Sequence, residues 1–149
     1  MKTPARSFTD LEVWKNSHAC VLEVYRLSET FPDHEWFGLT IQFHRSAVYV
    51  PVKIAEGFRK YTSADRARTL NTAEGSPEEC RYYCILAQDL GYGGTARIPE
   101  ALDVIAGQLS ACIRRLRKPG GEGGRVNDAG GKQGACATGN SCFPLKWRQ

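Results

Sequence analysis

The sequence predicts an all-α protein, built as an up-down-up-down antiparallel four-helix bundle. Three observations predict it: four segments show the apolar spacing of amphipathic helices, no segment shows the alternating pattern of a strand, and the connections are short. Short connections make consecutive helices antiparallel neighbours. The 149 residues, 42% hydrophobic and 24% charged, suffice for one domain with its own core.

The first two helices begin and end at recognisable signals. The first is predicted over residues 9–30, where Thr9 followed by Glu12 matches a capping box. The second is predicted over 36–57, with Gly57 as its stop. The basic and aromatic stretch FRKY that comes next is therefore assigned to a loop.

The last two helices are predicted over 63–90 and 99–118. Inside the third helix, the stretch GSPEE has the features of a new helix start, with Ser76 as the cap, a proline next and Glu79 at the third helical position. The third helix is therefore predicted to be kinked or split near Gly75.

These helices assign residues 1–118 to the bundle and leave 119–149 as a tail. The tail is rich in glycine and lacks helical periodicity, which predicts disorder. Cys136 and Cys142 lie within it. They could bind a metal or take part in redox chemistry, or the tail could be an extension of the chain without a role. An extension without a role is preferred, because no further ligand residues in an ordered segment lie close to these cysteines in sequence.

Composition restricts the class of protein only loosely. The formal net charge of +4 permits a nucleic-acid partner without requiring one. The N-terminal stretch lacks the apolar core of a signal peptide, and no run approaches the roughly 20 apolar residues of a membrane span. A helical chain without a signal is expected to keep its six cysteines as free thiols in the cytoplasm.

No motif for catalysis or cofactor binding is found: no nucleophile elbow, P-loop, dinucleotide-binding glycine pattern or metalloprotease helix. Cys80 and Cys84 share one helix face, and a metal there would need two more ligands, such as Cys20, Cys112 or His18. Small side chains facing a core explain the pair with fewer assumptions. We therefore expect no enzyme activity, no cofactor and no metal.

A polar stripe runs along the second helix between two apolar flanks. We call this stripe the polar seam, and its residues are Gln42, Arg45, Tyr49, Lys53 and Glu56. The last two are spaced to pair with each other, so the seam is interpreted as structural, and the alternative is direct contact with a ligand. One flank can pack in the bundle, and the other needs a second partner. This predicts a homo-oligomer, and the alternative is a monomer whose broad faces are covered by loops.

An antiparallel bundle brings the chain start, the loop after the second helix and the end of the fourth helix to one end, which we call the basic end. Its clustered cations suit a phosphate backbone of RNA or DNA, and its aromatic rings suit stacking on unpaired bases. The predicted phosphate contacts are Arg59, Lys60, Arg66, Arg68, Arg114, Arg115 and Arg117, and the predicted stacking residues are Phe58 and Tyr61.

The same features allow two alternatives. The cations of the basic end could simply complement helix C-termini through the helix dipole. The surplus apolar flanks could dock a protein partner, which would make the chain an interaction scaffold rather than a nucleic-acid-binding accessory protein.

Four stretches in order resemble the bacterial four-helix-bundle proteins encoded within intervening sequences of 23S rRNA genes. They are FTDLEVWK, FPDHEWFGLTIQFHRSA, VPVKIAEG and AEGSPEE, and the resemblance covers about residues 8–116. The accessory variability protein of diversity-generating retroelements belongs to the same group. The resemblance implies a homopentameric barrel with a positively charged surface. For the retroelement members it implies binding to nucleic acid and to a reverse transcriptase.

The sequence departs from that pattern at two places in the second helix. Lys53 stands where the pattern has an asparagine, and His44-Arg45 replaces a pair of arginines. The stretch GSPEE matches the Gly-Ser-x-x-Glu element. The departures argue against any role that needs the asparagine amide, and they keep the seam polar.

Overall fold

The computed structural model describes residues 5–95 and 97–118, and the predicted tail at 119–149 lies outside them. Within these ranges the chain is all-α and has no strand. Its helices are α1 (Glu12–Ser28), α2 (Ile41–Phe58), α3 (Ser63–Asn71), α4 (Ser76–Asp89) and α5 (Ile98–Arg117). Because α3 and α4 occupy the place of the predicted third helix, the four-helix, all-α prediction is confirmed, as is the split near Gly75. None of the helices described is long and apolar enough to cross a membrane.

The chain enters α1 through a short 3-10 turn, Phe8–Asp10. The hydroxyl of Ser7 accepts a hydrogen bond from the N–H of Thr9 at 3.3 Å, and the carboxylate of Asp10 accepts one from the N–H of Ser7 at 3.0 Å. The predicted capping box at Thr9 and Glu12 is therefore wrong. The capping pair lies earlier because the turn, and not α1 itself, needs the cap.

The connection between α1 and α2 is held by one carboxylate. It consists of a 3-10 turn, Asp33–Glu35, followed by a π-helical turn, Trp36–Thr40. The carboxylate of Glu35 accepts from the N–H of Leu39 at 3.0 Å and from the hydroxyl of Tyr92 at 3.1 Å. The hydrogen bond from the Leu39 N–H lowers the pKa of Glu35 most, and the one from the Tyr92 hydroxyl lowers it further, because both stabilise the ionised carboxylate. This carboxylate thus ties the α1–α2 connection to the α4–α5 connection.

The helices share one core. α1 packs against α2 and α5, α2 packs also against α3 and α4, and α5 packs also against α3 and α4. Side chains with almost no exposure fill the space between them, including Val24, Phe43, Ile54, Leu70, Ile105 and Leu109. Burial of such apolar surface is the main favourable contribution to folding.

Cysteines of α1 and α4 form part of this core. Cys20, Cys80 and Cys84 are free thiols, each no more than 4% exposed. Burial raises the pKa of Cys20 to about 11 and that of Cys84 to about 12, so both stay protonated near neutral pH. In the described part of the chain, no group of three or more histidines, cysteines or carboxylates could hold a metal ion. Cys112 is disulfide-bonded, so the expectation of free thiols is wrong there.

Gly57 does not end α2. The helix continues to Phe58, and Gly57 is a buried residue of its last turn. A Cβ at this position would lie 3.6 Å from Cδ2 of Leu70 and 3.8 Å from the carbonyl oxygen of Arg66, which are ordinary contact distances. The position thus brings α2 close to α3 and has room for one methyl group.

The variant Gly57→Ala is therefore expected to be more stable than the natural chain by about 0.5–1 kcal/mol, because alanine loses less backbone entropy in a helix. Urea unfolding followed by circular dichroism measures the difference. Gly107→Ala is the matched reference, since Gly107 lies in α5 with no atom within 4 Å of the added Cβ. A loss of stability at Gly57 together with a gain at Gly107 would contradict the expectation.

Candidate nucleic-acid interface

Three parts of the chain meet at the basic end: the end of α2 with the loop after it, α3, and the end of α5. The guanidinium Nε of Arg66 donates to the carbonyl oxygen of Lys60 at 2.8 Å, which fixes the loop onto α3. The guanidinium of Arg117 donates to the side-chain oxygen of Asn71 at 2.9 Å, which fixes the end of α5 onto the end of α3. Residues far apart in sequence are thus brought together, as the prediction requires.

Two of the predicted contact residues are buried and do not line this surface. Phe58 is 5% exposed and Arg66 is 7% exposed. Stacking by Phe58 is a wrong prediction, because α2 extends past Gly57 and Phe58 follows Ile54 by four residues on its apolar face. Arg66 holds the loop instead of contacting phosphates, and burial lowers its pKa.

The other predicted residues are on the surface. Tyr61 is 98% exposed, so its ring is available for stacking. Lys60 is partly exposed, and the exposed cations are Arg59, Arg68, Arg114, Arg115 and Arg117.

Carboxylates engage only part of this positive charge. The ammonium of Lys60 lies 3.6 Å from a carboxylate oxygen of Glu56, and the guanidinium of Arg68 lies 3.4 Å from one of Asp65. Such surface ion pairs are weak, about 0–1 kcal/mol, and they exchange easily for a phosphate. Arg59 and Arg114 make no ion pair with any residue the structure describes. The basic end therefore keeps cations that a polyanion can reach.

The polar seam leads along α2 toward the basic end. The ammonium of Lys53 donates to the carboxylate of Glu56 at 2.7 Å and lies 5.3 Å from the ring centre of Tyr49. Their hydrogen bond raises the pKa of Lys53 and lowers that of Glu56. The predicted pairing of Lys53 with Glu56 is confirmed.

Sequence reasoning missed a cleft at the other end of the seam, where the third helix is split. The cleft has a volume of about 360 Å³, and its walls include Gln42, Arg45, Ser46, Tyr49, Ser76 and Glu79. The predicted capping box at Ser76 and Glu79 is wrong: Gly75 occupies the cap position with helical dihedral angles, and no side chain caps α4. The carboxylate of Glu79 instead accepts from the hydroxyl of Ser46 at 2.5 Å. The GSPEE stretch is the available signal for the cleft, but its residues fit a local cap equally well.

Apolar side chains also remain on the outside of α1 and α2. Leu22, Tyr25, Ile41 and Val52 are between 43% and 50% exposed. In the connection between the two helices, Trp36 is 63% exposed and Phe37 is 86% exposed, beside a second cleft of about 420 Å³. These surfaces agree with the predicted surplus of apolar flanks.

Comparison with known proteins identifies a family. The model of the family described as 23S rRNA-intervening sequence protein matches residues 9–112, which include α1 to α4 and most of α5. No curated protein matches the chain. Since the matched region is well over half of the sequence, the chain belongs to the 23S rRNA-intervening sequence protein family.

Proposed function

We propose that this protein is a non-catalytic, oligomeric accessory protein that binds RNA or DNA with its basic end. The observation that carries the proposal is the convergence of exposed cations from the α2–α3 loop, α3 and the end of α5. Tyr61 supplies an exposed ring for one unpaired base, a contact worth about 1–3 kcal/mol. Positive charge for phosphates comes from Arg59, Arg68, Arg114, Arg115 and Arg117, with Lys60 beside them.

The proposal includes an up-down antiparallel bundle. Three side-chain hydrogen bonds support it, joining Asn71 to Arg117, Glu74 to Ser110 and Arg81 to Asp103. As the residue number rises along α3 and α4, the number of its partner on α5 falls, which is what antiparallel neighbours do.

The proposal also includes assembly into a homopentamer. The exposed apolar residues of α1 and α2 support self-association, because such residues on neighbouring helices favour an interface. The resemblance to the intervening-sequence proteins supplies the number of subunits. In an assembly with parallel subunits, the basic ends form a ring, and each subunit adds its cations to the same polyanion.

The test is a charge reversal at the basic end, Arg59→Glu with Arg114→Glu, measured on an RNA hairpin by fluorescence anisotropy at several salt concentrations. The natural chain is expected to bind with a steep dependence on salt, because phosphate contacts release counterions. Each lost phosphate contact reduces the salt slope by about one. If both proteins bind equally at about 1 M salt, two lost contacts give about a hundredfold weaker binding at about 0.1 M.

The matched control is Arg26→Glu with Arg97→Glu, which makes the same change in net charge at exposed positions outside the basic end. The control is expected to keep the slope of the natural chain. The proposal fails if both pairs of substitutions weaken binding equally, since the effect would then be one of net charge. Light scattering on the same samples gives the number of subunits.

A second candidate is a scaffold that docks a protein, for which the exposed Trp36 and Phe37 are the specific observation. Acidic residues flank them, with Glu29 and Asp33 on the walls of the same cleft, so a partner with a basic surface would fit. A reverse transcriptase, which the family resemblance suggests, is one such candidate. Association that survives nuclease treatment favours the scaffold, whereas association lost on nuclease treatment favours nucleic acid.

A further inference from the structure

The cleft between α2 and the α3–α4 junction contains a serine hydroxyl without a partner. Ser76 is 7% exposed and lines the cleft. No described residue forms a hydrogen bond with its hydroxyl. Since no fully buried side-chain oxygen in the described residues is without a partner, the Ser76 oxygen keeps some exposed surface, and the residue lines the cleft. In a residue that is nine-tenths buried, such a hydroxyl is placed to form a hydrogen bond with a ligand or water in the cleft.

A guanidinium without a partner lies on the opposite wall. Arg45 projects from α2 and makes no ion pair with any described residue. Gln42 and Tyr49, its neighbours on the polar seam, add an amide N–H₂ group and a phenol hydroxyl to the same wall. The cleft therefore brings several hydrogen-bond donors toward one volume, and a guanidinium donor binds oxyanions strongly.

The carboxylate of Glu79, which lies on the cleft wall, already accepts one hydrogen bond. Glu79 accepts the hydroxyl of Ser46 at 2.5 Å, so one of its oxygens faces α2. The first turn of α4, a helix of 14 residues, also lies at the cleft. The Ser76 N–H already donates to the carbonyl of Ala73 and Pro77 has no N–H, so this turn contributes the helix dipole and not these two donors. Among the described residues that line the volume, donors thus outweigh acceptors.

We propose that this cleft binds a phosphate group, held by the guanidinium of Arg45 and the hydroxyl of Ser76 at the start of α4. The volume of about 360 Å³ leaves room for an organic group attached to the phosphate. The ligand is either a free phosphate compound or one phosphate of a nucleic-acid strand lying along the polar seam. Phosphate binding in the cleft does not depend on nucleic-acid binding at the basic end.

The experiment is a titration of the full chain with inorganic phosphate at constant ionic strength, followed by amide chemical shifts. Saturable shifts are expected around Arg45 and Ser76. Arg45→Gln is expected to weaken binding by about tenfold or more, and Ser76→Ala by about two- to tenfold, the usual cost of losing a charged or a neutral hydrogen bond. Glu79→Gln keeps the acceptor for Ser46 and is expected to tighten binding, because it removes the negative charge facing the anion.

Matched controls separate the cleft from general charge effects. Ser63→Ala removes an exposed serine from the same first position of α3, and Arg26→Gln removes an exposed guanidinium from α1. Both controls are expected to bind phosphate like the natural chain, and circular dichroism checks that every variant is folded. Equal binding by Arg45→Gln and the natural chain would overturn the proposal, as would weaker binding in Glu79→Gln.

Short RNA then identifies the source of the phosphate. If Arg45→Gln loses both inorganic phosphate and part of its affinity for RNA, the ligand is a phosphate of the strand. If it loses inorganic phosphate alone, the ligand is a free phosphate compound.

Discussion

Replacing Phe43 with alanine is expected to lower the free energy of unfolding by about 3–5 kcal/mol, which is a large share of the roughly 5–15 kcal/mol that stabilises a typical domain. Phe43 is fully buried in α2, and its ring centre lies 5.7 Å from that of Tyr83 on α4. The substitution leaves a cavity where α2 meets α4, and the close-packed neighbours can fill only part of it. Urea unfolding measures the loss.

Phe37→Ala is the matched control, because Phe37 lies close to Phe43 in sequence and is 86% exposed. Its removal is expected to change stability by no more than about 0.5 kcal/mol. Similar losses at both positions would mean that Phe43 does not fill the core between α2 and α4.

Replacing Gly93 with alanine is expected to lower the free energy of unfolding by about 1–3 kcal/mol, the usual cost of a strained backbone position. Gly93 has a φ of 127°, a region that side-chain-bearing residues rarely adopt, and an added Cβ would lie 2.9 Å from the hydroxyl oxygen of Thr30. That hydroxyl donates to the carbonyl oxygen of Tyr92, so the substitution also disturbs the contact between the α4–α5 connection and the end of α1. Thermal and urea unfolding both report the change.

The adjacent Gly94 provides the control. A Cβ there meets no atom within 4 Å, and its φ is not positive, so Gly94→Ala is expected to be neutral or slightly stabilising. A comparable loss in both variants would point to a general need for flexibility in the connection and would contradict the steric explanation at Gly93.

Helical periodicity is sufficient to predict the number and approximate limits of the helical segments, because their apolar faces repeat over many residues. It is less reliable at helix ends, where single residues decide the outcome. Gly57 has the composition of a stop signal, but α2 continues one residue past it, to Phe58. The capping residue of the first turn is Ser7 rather than Thr9. Either residue could supply the capping hydrogen bond, so the sequence pattern does not distinguish them.

The order of the helices leads one to expect the end of α5 near the α2–α3 region, and the hydrogen bond between Arg117 and Asn71 joins these two parts. The burial of Arg66 cannot be predicted, since it depends on a bond to the carbonyl of Lys60 that no pattern of residue types encodes.

The cleft escapes prediction for a related reason. Ser76 and Glu79 fit a local capping rule, but in the structure Gly75 holds the cap position and the carboxylate of Glu79 accepts from Ser46 on α2.

The buried cysteines have a consequence for the chemistry of the folded chain. A sulfur reacts with oxidants and alkylating reagents as a thiolate and only when they can reach it. Burial hinders both conditions at Cys20, Cys80 and Cys84, because it raises the pKa of each thiol and shields it from solvent. The packing of the helices is therefore expected to slow their oxidation and alkylation in the folded chain. A reagent can label these thiols only when the helices separate, so the labelling rate reports opening of the core.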